Sequence, residues 1–178
     1  MGIRNFLIEG VSGAGKTTVA EELERRGYHV VHGDRKFAYY GDAETGEPLS
    51  PPEGEDRVEW GYPRWIWPVD RVKALIADRT HPVTFFCGGA RNAHHFIDLF
   101  DQVFALALDW ETLQGRIEGR GDDEFGGKPE EAALVRRVHA SGEDIPVGAT
   151  RIDSTRPVSR VVDDILTRCG ETRPPTRR

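Results

Sequence analysis

The stretch Gly10-Val11-Ser12-Gly13-Ala14-Gly15-Lys16-Thr17 decides how the rest of the chain is read. It satisfies the Walker A pattern G-x-x-x-x-G-K-[ST] in full, and each position has a physical task. The glycines permit dihedrals that turn consecutive backbone N–H groups toward one anion, and their missing side chains let phosphate come close. A helix opening near Lys16 adds the positive end of its dipole. In this pattern the lysine reaches the β- and γ-phosphates of a nucleotide and the threonine hydroxyl is set on Mg²⁺. The expected cofactors are therefore ATP and Mg²⁺. Gly10, Ser12, Gly13, Ala14, Gly15, Lys16, Thr17 and Thr18 would hold the nucleotide, with Thr17 as the metal ligand. The flanks agree: 5–9 (NFLIE) reads as a buried strand, and 16–26 as an amphipathic helix ended by Gly27.

Working outward, strand-like and helix-like runs alternate. Strands are expected at 28–32, 82–87, 103–108 and 146–153, and helices at 69–79, 92–100, 110–120, 129–139 and 158–169. Strands separated by helices make a parallel sheet covered on both faces. The expected fold class is α/β: a P-loop NTPase three-layer α/β/α sandwich with a five-stranded parallel sheet and a short lid. Residues 1–170 would form a single domain with an insertion at about 34–68 and a lid at about 116–130. Residues 171–178, with no apolar content, read as a disordered tail.

Length and charge bound the remaining choices. A chain of 178 residues with 38% hydrophobic and 30% charged residues suits one globular domain. Its net charge of -6 argues against a nucleic-acid partner, whose grip rests on clustered Lys and Arg. Cys87 and Cys169 are the only cysteines, which reads as a reduced, cytoplasmic protein without a disulfide framework or zinc set. No apolar run approaches a membrane span, no secretory segment precedes the first strand, and Phe6 breaks a myristoylation pattern at Gly2. The chain is expected to work as a monomer or homodimer on a small-molecule phosphoryl acceptor.

The phosphate loop alone does not separate nucleotide motors, switches and transferases. A motor ATPase ends a neighbouring apolar strand with a metal-holding Asp. The best candidate strand here runs into Cys87-Gly88-Gly89 instead. The N-K-x-D motif of a GTPase is missing, and the D-x-x-G match at 123–126 follows a helix rather than a strand.

Four features in order give a resemblance. They are the loop GVSGAGKTT; His32-Gly33-Asp34-Arg35 closing the second strand; Phe86-Cys87-Gly88-Gly89; and Leu108-Asp109 followed by 113–120 (LQGRIEGR). Their order resembles the shikimate, gluconate and adenylate kinase group of small P-loop kinases over roughly residues 3 to 168, with some likeness to thymidylate and deoxynucleoside kinases at Glu9-Gly10. The resemblance implies an ATP-dependent phosphotransferase acting on a nucleoside, nucleotide or similar metabolite. An antibiotic- or sugar-directed kinase, or a nucleotide-binding regulatory module with little transferase activity, stays open. It further implies that Gly88 and Gly89 face the acceptor, and that Arg156, in the turn 152–157, lies along the adenine.

Residue chemistry supplies the other candidates. Asp34 ends a strand where ligands of open α/β sheets bind, and would orient the acceptor hydroxyl or take its proton; the alternative is a helix cap. Arg116 and Arg120 stand four apart, on one helix face, and would close on the triphosphate with Lys16. Glycines in 121–128 suit a hinged lid that excludes water. Arg64 and Arg91 would flank the acceptor, Arg91 binding it bidentately. Three of the four tryptophans and three of the four tyrosines fall in 37–67, either stacking on a ring or packing under a loop. His94 and His95, adjacent on a helix, would point apart and make a poor metal pair.

Overall fold

The computed structural model describes residues 3–53 and 56–171. The elements run β1 Arg4–Glu9, α1 Lys16–Arg25, β2 His29–His32, α2 Gly33–Lys36, β3 Tyr39–Tyr40, α3 Arg57–Gly61 and β4 Trp65–Ile66. They continue α4 Val69–Ala77, β5 Val83–Cys87, β6 Gln102–Ala107, α5 Trp110–Glu118, α6 Pro129–Ser141, β7 Thr150–Asp153 and α7 Val158–Arg168. The main sheet has five strands in the order β2-β5-β1-β6-β7, and every pairing in it is parallel. The three-layer sandwich expected from the alternation is the one observed.

The strands are apolar almost throughout because both faces are covered. Successive side chains alternate, so Phe6, Ile8, Phe85 and Phe104 feed one core while Leu7 and Phe86 feed the other. α1 and α7 close the first face, and Arg26 ties them by bonding Glu22 and Asp163 at 2.8 and 2.7 Å. The second face holds an aromatic stack: Trp67 lies parallel to Phe96 at 5.9 Å and meets Phe37 edge-on at 5.3 Å.

Three expectations need correction. Residues 92–100 form two 3₁₀ turns, Ala93–His95 and Ile97–Leu99, instead of one α-helix. Phe96 between them takes φ -146°, and its ring is spent on Trp67, so tertiary packing overrides the helical spacing. The last strand begins at Thr150 rather than 146; Ala149 N–H bonds the Pro146 carbonyl in a turn, leaving Val147 fully exposed. Glu171, expected to open a tail, pairs with Arg4 and donates its N–H to Leu166. The rest of that tail, 172–178, lies outside the described residues. The insertion also contains an antiparallel ribbon, β3 with β4, that the sequence did not suggest.

Trp67 can fill its place only because residue 33 has no side chain. A Cβ on Gly33 would lie 2.2 Å from the Trp67 ring, which is 1% exposed and cannot retreat. Gly33→Ala is expected to cost about 1–3 kcal/mol through overpacking. Urea denaturation checks this; an unchanged midpoint would show that the indole has room to move.

Candidate active site

The site forms where β1, β2 and β5 end. Ile8 and His32 both pair with Cys87, which sets Glu9-Gly10, Gly33-Asp34 and Gly88-Gly89 side by side at the carboxyl edge of the sheet. In the loop after β1, Gly13 and Gly15 take φ of 93° and 103°. Lys16 opens α1, and its Nζ donates to the carbonyls of Gly10 and, at 3.3 Å, Val11. Thr17 and Thr18 are exposed on the first turn of α1. Beside the loop lies a cavity of about 660 Å³, lined among others by Gly10, Ser12, Lys16, Asp34, Gly89 and Arg91.

Asp34 is not a helix cap. Its Oδ1 accepts from the indole N–H groups of Trp65 and Trp67, both at 3.2 Å, and from Gly89 N–H at 3.1 Å. Among the described residues no hydrogen bond engages Oδ2, so one oxygen anchors the carboxylate while the other stays available to the cavity. Gly88 belongs to this anchor: a Cβ there would sit 2.7 Å from Asp34 Oδ1. Gly89 lines the cavity and Gly88 does not.

Arg91 lines the cavity, and its guanidinium bonds the Tyr62 hydroxyl at 2.7 Å and lies over that ring at 4.8 Å. Arg64 is placed differently from expectation. It packs on Trp60, donates to that residue's carbonyl at 2.7 Å, and is not among the residues lining the cavity. The aromatic insertion divides: Phe37 and Trp67 are buried core, whereas Tyr40, Tyr62 and Trp65 line the cavity.

Arg116 and Arg120 both meet the phosphate loop, through different elements. Arg116 leaves α5 and bonds the carbonyls of Gly13 at 3.3 Å, Ala14 at 3.1 Å and Ser154 at 2.6 Å. Arg120 lies beyond the end of α5, so the shared helix face read from their spacing is corrected; it bonds Ser12 Oγ at 3.1 Å and the Phe125 carbonyl. Arg120 thus ties the loop at Phe125 to the loop after β1. Arg156 is held outside the cavity by Asp153 and Asp164.

Two buried acids were not among the expected site residues. Glu9, at the end of β1, is 3% exposed, and burial pushes its carboxyl up to about 8 against the opposing pull of Arg91 and Lys16. Asp144, in the turn after α6, lines the cavity and is also raised by burial. An acidic residue inside an apolar strand was the available signal for Glu9; nothing local marked Asp144.

No family model and no curated protein matches the sequence. Solved structures do resemble the fold. An unliganded sugar kinase from Janibacter sp. HTCC2649 is 21% identical over 96% of each chain, with a TM-score of 0.59. A gluconokinase from Sinorhizobium meliloti 1021 is 21% identical over 92% of this chain and 90% of its own, with a TM-score of 0.54. The chain shares the fold of these two kinases. The cavity between the loop after β1 and Asp34 lies at the carboxyl edge of the parallel sheet, the edge where open α/β folds bind ligands. Among the described residues no helix is long and apolar enough to cross a membrane.

Proposed function

We propose that the chain transfers the γ-phosphoryl group of ATP to a hydroxyl of a small molecule. The carrying observation is the pairing of a phosphate loop with Asp34 across one cavity, the carboxylate being locked by three donors on Oδ1. The residues fit a nucleotide with Mg²⁺: a loop with Gly13 and Gly15 at positive φ, Lys16 at the loop's end and an exposed Thr17 on the first turn of α1. Mg²⁺, when bound through Thr17, supplies positive charge that offsets the phosphate oxygens.

The acceptor oxygen forms the new bond to phosphorus as the bond to the ADP oxygen breaks, and the acceptor's proton leaves to Asp34 Oδ2 or to water. Because the transition state is loose, Asp34 contributes mainly by orienting the hydroxyl. Lys16 turns from the loop carbonyls to the transferring phosphoryl oxygens. Arg120, latched through Ser12 and Phe125, holds the lid down and keeps water from competing as acceptor. Arg116 steadies the loop from behind and neutralises developing charge.

The charge balance favours an acceptor without a phosphate or carboxylate of its own. Asp34, Asp56, Glu130, Glu131 and Asp144 line the cavity against Lys16, Arg57, Arg91 and Lys128. With Lys16 committed to ATP, five carboxylates around the cavity face three remaining cations, Arg57, Arg91 and Lys128. A polyhydroxyl or ring compound such as a sugar or nucleoside fits this better than a nucleotide, with Tyr40, Tyr62 and Trp65 offering apolar faces.

The test is ADP release with ATP alone and with a panel of sugars, nucleosides, nucleotides and hydroxylated antibiotics. An uncharged acceptor is expected to raise the rate, and Asp34→Asn to reduce that acceptor-dependent rate about a hundredfold. Tight ATP binding with no acceptor dependence would instead favour a regulatory nucleotide-binding module.

A further inference from the structure

We propose that Glu44, His94 and His95 form a binding site for a divalent transition-metal ion of the zinc class, one that clips the acceptor-side insertion to the turn after β5. On an α-helix adjacent histidines would splay by about 100°. On a 3₁₀ turn such as Ala93–His95 the splay is about 120°, yet the two rings bend back to 4.1 Å from each other and both meet Glu44, in the loop that follows β3.

The spacing suits shared coordination. His94 Nε2 lies 3.3 Å from one Glu44 carboxylate oxygen, His95 Nε2 lies 3.9 Å from the other, and the Ala43 carbonyl oxygen is 3.1 Å from His95 Nε2. Ligand atoms around a tetrahedral zinc with bonds near 2.0–2.1 Å stand about 3.3 Å apart. Two imidazoles and a carboxylate form a donor set able to hold a cation at its centre. Imidazole with carboxylate suits Zn²⁺ and its first-row neighbours better than Mg²⁺ or Ca²⁺. Without a metal the same groups amount to exposed ion pairs, which contribute little.

Both ligand-bearing segments are held in place by other bonds. Asp42 Oδ1 accepts from the N–H groups of Glu44 and Thr45 at 3.0 and 2.8 Å, and Tyr39 hydroxyl bonds the Gly46 carbonyl at 2.7 Å. On the other side Asn92, 1% exposed, bonds the Trp67 backbone in both directions at 2.8 and 3.0 Å. The ion would therefore meet ligands that need little reordering. Tyr40 precedes one segment and Arg91 the other, and both line the cavity, so the clip would stiffen the acceptor wall.

The probe is Zn²⁺ added by calorimetric titration to chelator-stripped protein free of any histidine tag. One-to-one binding is expected, with a rise in melting temperature that grows with Zn²⁺ concentration. Glu44→Gln and His94→Ala should each weaken binding by about tenfold or more. His81→Ala, at the opposite end of β5, should leave it unchanged. Co²⁺ should give the visible absorption of a low-symmetry site in wild type only. Absence of saturable binding, or equal binding by wild type and His94→Ala, would overturn the site. None of these readouts depends on phosphoryl transfer.

Discussion

Lys16→Ala is expected to lower ATP turnover by about a thousandfold, the scale of removing a charge aimed at a developing anion. The fold should survive. Among the described residues the Lys16 head group bonds only the backbone carbonyls of Gly10 and Val11, and its side chain is not part of the apolar core. Alanine also suits the first turn of α1 better than most residues. Steady-state ADP release, read beside a thermal melt, separates the two effects. A variant that melts like wild type and keeps its turnover would remove Lys16 from the chemistry.

Glu9→Gln should change how stability depends on pH. The Glu9 carboxyl is raised from 4.5 to about 8, so between those values the folded chain holds a proton that the unfolded chain has released. Stability from this group is complete below about pH 4.5, declines across the window and is lost above about pH 8. The shift corresponds to on the order of 5 kcal/mol across the window. Asp144, also raised, adds a loss of the same sign. Glutamine keeps the shape without the charge, so the variant should decline less and exceed wild type at alkaline pH. Urea denaturation from about pH 5 to about pH 9 measures it. Equal slopes for the two proteins would mean that Glu9 ionises freely, and that water or a cation reaches it.

Which parts of this picture could be read in advance follows from how far apart the participating residues lie. The β1–loop–α1 unit was legible because its signals are contiguous: an apolar run, spaced glycines, then Lys16 and an amphipathic helix. Asp34 was legible as the residue after a strand, but its two tryptophan donors were not. Trp65 and Trp67 are two residues apart and alike in sequence, yet one lines the cavity and the other is core, because only Trp67 meets Gly33 and Phe96.

The spacing of Arg116 and Arg120 suggested a common face, but α5 ends before Arg120. What unites them is the phosphate loop, about a hundred residues earlier in the chain. Arg64 and Arg91 looked equivalent as cations near the acceptor. Stacking on Trp60 removed one from the cavity, and contact with Tyr62 kept the other there.

Sequence alone fixed the sandwich of helices on a five-stranded parallel sheet and the glycine-rich loop at its edge, because hydrophobic period and glycine spacing are local properties of the chain. Tertiary structure alone decided the ionisation of Glu9 and Asp144, the locking of Asp34, and the meeting of Glu44 with His94 and His95. Burial, desolvation and ligand spacing depend on what distant segments bring alongside, and no short window of residues carries that information.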